Sequence, residues 1–208
     1  TTATLAHPTM TRVEGLGLRR AGGYQVFAPN QNENVYTHEW RGPFYGFDRV
    51  IETFEFTEKP RRLKPINIYF HTYLTTKTAG MRSLDTIFTY AMAQETMPVY
   101  VSEYARKVLD FQDLAVARTP VGWRVRGAKD LRTLRLPNTL GFADIRKSRG
   151  VAGYTTGEND SYIHLASDAA VLAVSAVESS SPRLDSANAR IEHFEQNSTG
   201  AQWQFKGH

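Results

Sequence analysis

The sequence contains no cysteine. Disulfide bonds, thiolate zinc sites and cysteine nucleophiles are therefore excluded, and any metal ion would have to be bound by histidine and carboxylate side chains. The sequence also lacks the run of about 18 apolar residues that a membrane-spanning helix requires. The longest apolar run in its C-terminal half, residues 169–177, is only about as long as a strand. A membrane span is therefore not expected.

Motifs of several enzyme classes are missing as well. The chain has no Gly-x-Ser-x-Gly elbow of a serine hydrolase and no Gly-x-x-x-x-Gly-Lys loop that would bind nucleotide phosphates. Two histidines four residues apart on a helix are a common pair of zinc ligands. No such pair occurs among the histidines, which are His7, His38, His71, His164, His193 and His208. A metal site formed by this chain alone is therefore poorly supported.

Charge is present but unevenly distributed. The formal net charge is +4, and nine basic residues lie between Arg118 and Arg149 against only Asp130 and Asp144. This segment is either a solvated face of strands or a surface for an anionic partner. Nucleic acid is a disfavoured partner, because no helix carries clustered basic residues and no nucleic-acid-binding motif accompanies them.

Hydrophobic residues make up 41% of the chain, which is enough for a folded core, and their periodicity predicts two parts. In the first part, strands are predicted at Tyr24 to Ala28, at Arg49 to Thr57, at Ile66 to Tyr73 and at Pro98 to Val101. Two helices are predicted between and after the later strands. Helical connections between strands favour a parallel α/β sheet or barrel, in which the C-terminal ends of the strands carry the site.

Both helices are predicted from the spacing of their apolar residues. In the helix after Thr78, the residues at i, i+3, i+4 and i+7 are Leu84, Ile87, Phe88 and Ala91. In the next helix, Ser102 is the expected N-cap. The inner face of that helix is expected to carry Tyr104, Val108 and Phe111.

Beyond Ala115 the helical periodicity stops, and short runs are separated by turn signals about every eight to twelve residues. This pattern predicts a β-sandwich for residues 115–208. The last two runs, IEHFEQ and AQWQF, predict a terminal hairpin. The domain boundary is therefore placed between residues 114 and 115, and no long helix is expected after residue 120.

His71 is the main catalytic candidate. It lies near the C-terminal end of the predicted INIYFH strand, where an α/β barrel presents its catalytic groups. An imidazole at that position can donate a proton to a leaving group near neutral pH. The alternative is a strand histidine that is hydrogen-bonded within the core, and spacing alone does not decide between them.

A loop upstream combines amides, a carboxylate and aromatic rings. Its candidate binding residues are Asn32, Glu33, Asn34, Trp40 and Tyr45. Amides and carboxylates can hydrogen-bond to hydroxyl and N-acetyl groups, and aromatic rings can stack on pyranose faces. The loop is therefore a candidate sugar-binding wall. Alternatively, its asparagines and glycines only form turns and its aromatic rings fill the edge of a core.

Long strings of the chain resemble a known family. They are VFAPNQNENVYTHEWRGPFYGFDRVIETFEFTEKPRRLKPINIYFHTY, PVYVSEYARKVLDF, ARTPVGWRVRG and LRLPNTLGFAD. These strings are similar to the deacetylase region of PelA-like proteins of Pel exopolysaccharide biosynthesis. The resemblance runs from about Tyr24 to the C-terminus. It implies a periplasmic polysaccharide deacetylase whose catalytic domain is a distorted β/α barrel.

The resemblance also implies a catalytic arrangement. In such deacetylases a divalent metal, commonly zinc, is bound by an aspartate and two histidines, a second aspartate acts as base, and a late-strand histidine acts as acid. His71 matches that late histidine. The metal-binding aspartate and the His-x-x-x-His element do not occur in this sequence, and in the family they precede the matched region. The chain is therefore expected to be a fragment that is inactive alone, with its zinc ligands elsewhere in the same protein.

These expectations describe the C-terminal part of an N-acetylhexosamine polysaccharide deacetylase. Residues 1–114 are expected to form the last part of the barrel, and residues 115–208 an appended β-sandwich. The expected partners are an N-acetylated polysaccharide, the rest of the same protein and, as further candidates, export proteins of the exopolysaccharide system. The alternative is a non-catalytic carbohydrate-binding or assembly module in which the sandwich is the functional part.

Overall fold

The computed structural model describes residues 17–26, 46–58, 65–197 and 200–206. The chain divides into two compact units, Thr1–Pro98 and Val99–His208. The described residues form a short hairpin and three α-helices, followed by antiparallel sheets. They contain no closed barrel. The architecture is therefore mixed, with the helices before the main sheets.

The first unit is built from a hairpin and two helices in its described part. The antiparallel strands β1 (Gly17–Arg20) and β2 (Gly23–Val26) come first, and β2 overlaps the strand predicted from Tyr24 to Ala28. Helices α1 (Val50–Phe56) and α2 (Thr78–Met92) follow. The core of this unit consists of Phe47, Val50, Phe54, Leu74, Ala79, Leu84 and Ile87.

The strand predicted at Arg49 to Thr57 is wrong, because this segment contains α1. Its near-alternating hydrophobic residues resemble a strand pattern. However, Val50 and Phe54 are four residues apart and are both fully buried, as expected for one face of a helix. Phe56, which alternation would place beside Phe54, is 64% exposed. Only one face of this segment contacts the core. The segment is therefore a helix with 3.6 residues per turn, and not a strand in which every second side chain is buried.

The strands predicted at Ile66 to Tyr73 and at Pro98 to Val101 are also wrong. Residues 65–71 pair with no strand in the described part of the chain, and a 3-10 turn begins at Thr72. Residues 95–100 have no regular structure. Aromatic and β-branched residues favour a strand only where a neighbouring strand pairs with the backbone, and the described residues provide no such neighbour. The predicted parallel sheet is therefore not formed by these segments.

The helix predicted after Thr78 is confirmed as α2, which begins at Thr78. Leu84 and Ile87 are buried on its inner face, whereas Phe88 is 44% exposed and its ring lies edge-on to Phe70. Gly80 lies so close to Leu74 that a Cβ atom at Gly80 would overlap the Leu74 carbonyl oxygen. This close contact packs the first turn of α2 directly against the preceding 3-10 turn, Thr72–Thr76.

Helix α3 (Val101–Asp113) is also confirmed, with a different cap from the predicted one. The N-cap is Tyr100 and not Ser102. The Tyr100 amide donates a hydrogen bond of 3.0 Å to the carboxylate of Glu103, which closes the first turn without a serine cap. Tyr104 and Val108 are buried as predicted, but Phe111 is 49% exposed. The predicted inner-face position of Phe111 is therefore wrong.

The second unit contains nine strands in its described part. They are β3 (Ala115–Thr119), β4 (Gly122–Arg126), β5 (Thr133–Pro137), β6 (Phe142–Ala143), β7 (Val151–Thr156), β8 (Asp160–Leu165), β9 (Ala169–Ser175), β10 (Ile191–Gln196) and β11 (Ala201–Phe205). One sheet has the order β3-β4-β9-β6, a second has the order β5-β8-β7, and β10 pairs with β11. All of these pairings are antiparallel.

Both larger sheets contribute side chains to one core. Its fully buried members include Val125, Tyr154, Ile163 and Leu165. No α-helix occurs in the described residues after Asp113, as the loss of helical periodicity predicted. The predicted terminal hairpin is confirmed as β10 and β11.

The two compact units divide between residues 98 and 99, so α3 belongs to the unit that contains the main sheets. In that unit, the buried carboxylate of Asp110 on α3 accepts hydrogen bonds from the amides of Asp130 and Leu131. The predicted boundary between residues 114 and 115 marks the change from helix to strand. The assignment of the two parts to a deacetylase-type domain and an appended domain stays a prediction.

Candidate functional site

His71 lies on the exposed side of an extended segment in the first unit. The partly buried side chains that pack against the core from this segment are Ile66, Ile68 and Phe70. The backbone of His71 is extended, with φ −96° and ψ 147°. The side chains of Tyr69, His71 and Tyr73 are all exposed. The segment therefore has an inner apolar row and an outer aromatic row, although no strand forms.

The imidazole of His71 contacts an aromatic ring on each side. Its ring stacks on Tyr73, with centroids 5.2 Å apart and an interplanar angle of 10°. The Tyr69 ring is edge-on, with centroids 5.4 Å apart, and its hydroxyl lies 3.4 Å from His71 Nε2. The His71 carbonyl accepts a hydrogen bond of 3.0 Å from the amide of Leu74, which is buried. These contacts hold an exposed imidazole in a defined orientation.

The structure places His71 in an extended segment before a 3-10 turn, and not at the end of a strand. The residue does not end a buried strand, so that part of the prediction is wrong. Its side chain is exposed, so the alternative of a core histidine does not describe it. An exposed and oriented imidazole can exchange a proton with a group bound beside it. The role of His71 as catalytic acid stays a prediction.

The predicted sugar-binding wall lies outside the described residues. Its five members are Asn32, Glu33, Asn34, Trp40 and Tyr45, all within residues 27–45. Their role as substrate-binding residues stays a prediction. Among the predicted site residues, His71 is therefore the one whose surroundings the structure describes.

The described part of the chain does not fit the zinc ion that the resemblance implies. It contains no group of three or more histidine, aspartate or glutamate side chains that could hold a metal ion. His164 Nε2 lies 2.7 Å from the Asp185 carbonyl oxygen and 3.3 Å from the Thr155 hydroxyl. His193 Nε2 lies 2.9 Å from Glu195 Oε1. Both of these histidines lie in strands, where the Nε2 atom of each has a protein partner.

We expect this polypeptide to bind zinc no more tightly than in the millimolar range. Tight zinc binding requires three or four ligands at fixed spacing, and the sequence provides no such spacing. Calorimetric titration of the chain with a zinc salt measures this directly. A stoichiometric heat of binding at micromolar zinc would show that the histidines assemble a site after all.

A cavity of about 430 Å³ lies in the second unit, at the turn between β3 and β4. Its lining includes Arg118, Thr119, Val121, Trp123, Leu140 and Lys147. Arg118 on β3 is directly opposite Trp123 on β4 in the antiparallel ladder. Sequence reasoning missed this site. Its signal was the turn Thr119 to Gly122, because a hairpin there places the residues flanking it next to each other.

Four of the nine basic residues of segment 118–149 lie in strands of the two larger sheets, and the other five lie outside the strands. Arg124 and Arg126 lie on one face of β4, on either side of the buried Val125, and both are exposed. Arg135 is on β5 in the other sheet. The segment therefore does not form one continuous face of a single sheet.

Comparison of the chain with known protein families, with curated proteins and with solved structures finds no match. Within the described ranges, no helix has the length and apolar character needed to cross a membrane. Function is therefore inferred from the residues, from their geometry and from the resemblance to PelA-like deacetylases.

Proposed function

We propose that the chain is the C-terminal part of a periplasmic, metal-dependent N-acetylhexosamine polysaccharide deacetylase of the Pel type. His71 is its proton donor. The observation that supports this role is the exposed imidazole of His71, stacked on Tyr73 and in edge contact with Tyr69. The reaction is hydrolysis of the acetamide on a sugar unit, which releases acetate and a free amine.

His71 acts in the second half of this reaction. After water adds to the acetamide carbonyl, the tetrahedral intermediate collapses by breaking its carbon–nitrogen bond. The departing nitrogen is a poor leaving group unless it receives a proton, which an imidazolium near neutral pH can donate. The contacts with Tyr69 and Tyr73 restrict the orientation of the ring, which favours transfer to a bound substrate.

In the family that the chain resembles, a divalent metal, commonly zinc, activates the attacking water. The described residues do not fit such an ion. Its ligands must then come from polypeptide outside the described residues, and the proposed role of His71 is derived without them. Asn32, Glu33, Asn34, Trp40 and Tyr45 are the proposed sugar-binding wall.

In this proposal, residues 115–208 are a β-sandwich, and residues 1–114 belong to a distorted β/α barrel whose parallel strands come from polypeptide outside the described residues. The sandwich is supported by the shared core of the two larger sheets, to which β4 contributes Val125 and β8 contributes Ile163. Two antiparallel sheets that bury one common set of side chains are the defining feature of such a fold.

The test replaces His71 by alanine in the full-length protein that carries this chain. Loss of a positioned general acid costs roughly 100- to 10,000-fold in rate, so hydrolysis of an acetamide substrate is expected to fall by at least about 100-fold. An activated acetyl ester needs little protonation of its leaving group and should be less affected. Because the His71 side chain is exposed, the melting temperature should stay within a few degrees.

His193→Ala is the matched control, because His193 is also an exposed histidine and lies on β10 of the second unit. This variant should retain both activities. Equal losses of amide and ester hydrolysis in His71→Ala, together with a large drop in melting temperature, would contradict the assignment of His71 as proton donor.

A carbohydrate-binding or assembly module is the second candidate function. It is favoured by the cavity beside Trp123 in the second unit. A zinc titration with a fluorogenic acetyl ester separates the two candidates in the full-length protein. An enzyme turns the ester over in proportion to bound metal, whereas a binding module leaves it intact.

A further inference from the structure

We infer that the cavity beside Trp123 binds a small monoanionic ligand in which one carboxylate is attached to a ring-sized body. This inference concerns the second unit alone and does not depend on the deacetylase proposal. At about 430 Å³, the cavity lies within the usual range of small-molecule sites. It combines two cationic side chains with an apolar wall, and these two features define the ligand.

The charge of the cavity matches a single carboxylate. Lys147 Nζ lies 3.2 Å from Asp144 Oδ2, so the charge of this lysine is already balanced by a neighbour. Arg118 forms no ion pair within the described residues. The cavity therefore retains about one uncompensated positive charge. A guanidinium group has a planar array of donors that can bind the two oxygens of a carboxylate together.

The apolar wall matches a ring. Trp123 is half-buried, and its backbone is held between Arg118 on β3 and Leu172 on β9. Val121 and Leu140, which also line the cavity, are 64% and 46% exposed. A ligand ring placed against these side chains would cover apolar surface that water now contacts. Tryptophan also presents the largest flat face for stacking on a sugar or an aromatic ring.

A polar group in the cavity wall lacks a partner. The Thr119 hydroxyl oxygen is buried and forms no hydrogen bond with the described residues. Buried hydroxyl groups without a partner are rare, because each costs about 1 to 3 kcal/mol. Because this oxygen has almost no accessible surface, a ligand in the cavity reaches it only if the Thr119 side chain changes its rotamer. The inference therefore rests on Arg118 and on the apolar wall.

The experiment titrates the isotopically labelled chain with three carboxylates at constant ionic strength. Glucuronate carries the carboxylate on a sugar ring, benzoate carries it on an aromatic ring, and acetate has no ring. Binding is followed by NMR at the indole N–H of Trp123 and the amide of Gly122. Glucuronate or benzoate is expected to bind at least about tenfold more tightly than acetate, because only they cover the apolar wall. Which of the two binds more tightly identifies a saccharide or an aromatic ligand.

Two variants test the role of charge. Arg118→Gln is expected to weaken binding of the preferred ring carboxylate by at least about tenfold, since it removes a charge-assisted bidentate contact. Lys147→Gln should have a smaller effect, because Lys147 is already paired with Asp144. Arg124→Gln is the matched control. It removes the same charge from β4, but the Arg124 side chain is not part of the cavity lining.

Three outcomes would overturn the inference. The first is that neither ring carboxylate shifts the Trp123 and Gly122 signals at tens of millimolar. The second is that acetate binds as tightly as the ring carboxylates, which would indicate a simple anion contact. The third is an equal loss of affinity in Arg118→Gln and Arg124→Gln, which would assign the effect to overall charge.

Discussion

Replacement of Gly153 by alanine is expected to destabilise the second unit by about 3 kcal/mol or more, which is the upper range for forcing an extra methyl group into a packed core. Gly153 lies on β7, where a bridge joins it to Leu184 in the long connection before β10. A Cβ atom at Gly153 would overlap the carbonyl oxygen and the amide nitrogen of Leu184. These are backbone atoms, so the clash cannot be relieved by rotation of a side chain.

Relief of the clash requires the segment around Leu184 to move away from β7, and other contacts depend on its position. The Arg183 guanidinium lies 4.2 Å from the centre of the Tyr154 ring and donates a hydrogen bond of 2.7 Å to the Ser179 carbonyl. The Leu184 amide donates to the Ala152 carbonyl at 3.1 Å. Movement of the segment weakens all of these contacts together, which adds to the cost of the clash itself.

Urea unfolding followed by tryptophan fluorescence measures this loss. Trp123 and Trp203 both lie in the second unit, and the Trp203 indole N–H donates to the carbonyl of Ala152, next to Gly153. Gly200→Ala is the matched control, since a Cβ atom at Gly200 meets no atom within 4 Å. If Gly153→Ala and Gly200→Ala unfolded at the same urea concentration, the segment around Leu184 would not be packed against β7.

Removal of the Asp110 carboxylate is expected to destabilise the second unit by about 2 to 4 kcal/mol, because it leaves two backbone donors without an acceptor. Asp110 on α3 is 8% exposed, and its Oδ2 accepts hydrogen bonds from the amides of Asp130 and Leu131. These two residues precede β5. The carboxylate therefore ties α3 to the chain that enters the second sheet.

The negative charge of Asp110 also affects the pKa of Arg132. Burial is the main cause that lowers the pKa of Arg132, and the nearby Arg190 lowers it further. The carboxylates that oppose this shift belong to Asp168, Asp130 and Asp110. Asp110→Asn keeps an oxygen acceptor but loses the charge, so it should lose roughly half as much stability as Asp110→Ala.

Gln112→Ala is the control for Asp110→Ala, because Gln112 is exposed on the same helix. It should change the free energy of unfolding by less than about 0.5 kcal/mol. The three variants are compared by urea unfolding at neutral pH. A stability of Asp110→Ala equal to that of Gln112→Ala would show that the Asp110 carboxylate does not hold the chain before β5.

The sequence was sufficient where local periodicity and turn residues agree with the final packing. Leu84 and Ile87 recur at helical spacing, and both are buried in α2. The residues after Asp113 lose that spacing, and they form antiparallel strands and a terminal hairpin. These elements depend mainly on interactions between neighbours in the chain, which a sequence shows directly.

Pairing between strands that are distant in the sequence could not be predicted from local periodicity. Ile66 to Phe70 has the composition of a strand, but its inward side chains cover the core of α1 and α2 without a partner strand among the described residues. The hydrophobic residues of the segment that contains Val50 and Phe54 fit both a strand and a helix. The segment is a helix because the core contacts only one of its faces. A strand requires hydrogen bonds from another segment, and sequence alone does not show whether that segment is present.

The candidate sites show the same division. The sequence by itself determined that the chain has no cysteine and no helical pair of histidines. Only the tertiary structure decided that His71 lies between Tyr69 and Tyr73, and that Arg118 and Trp123 border one cavity with Lys147. The physical reason is that composition and spacing are local properties, whereas a site requires side chains from separate segments to meet, and only the packing of the whole unit brings them together.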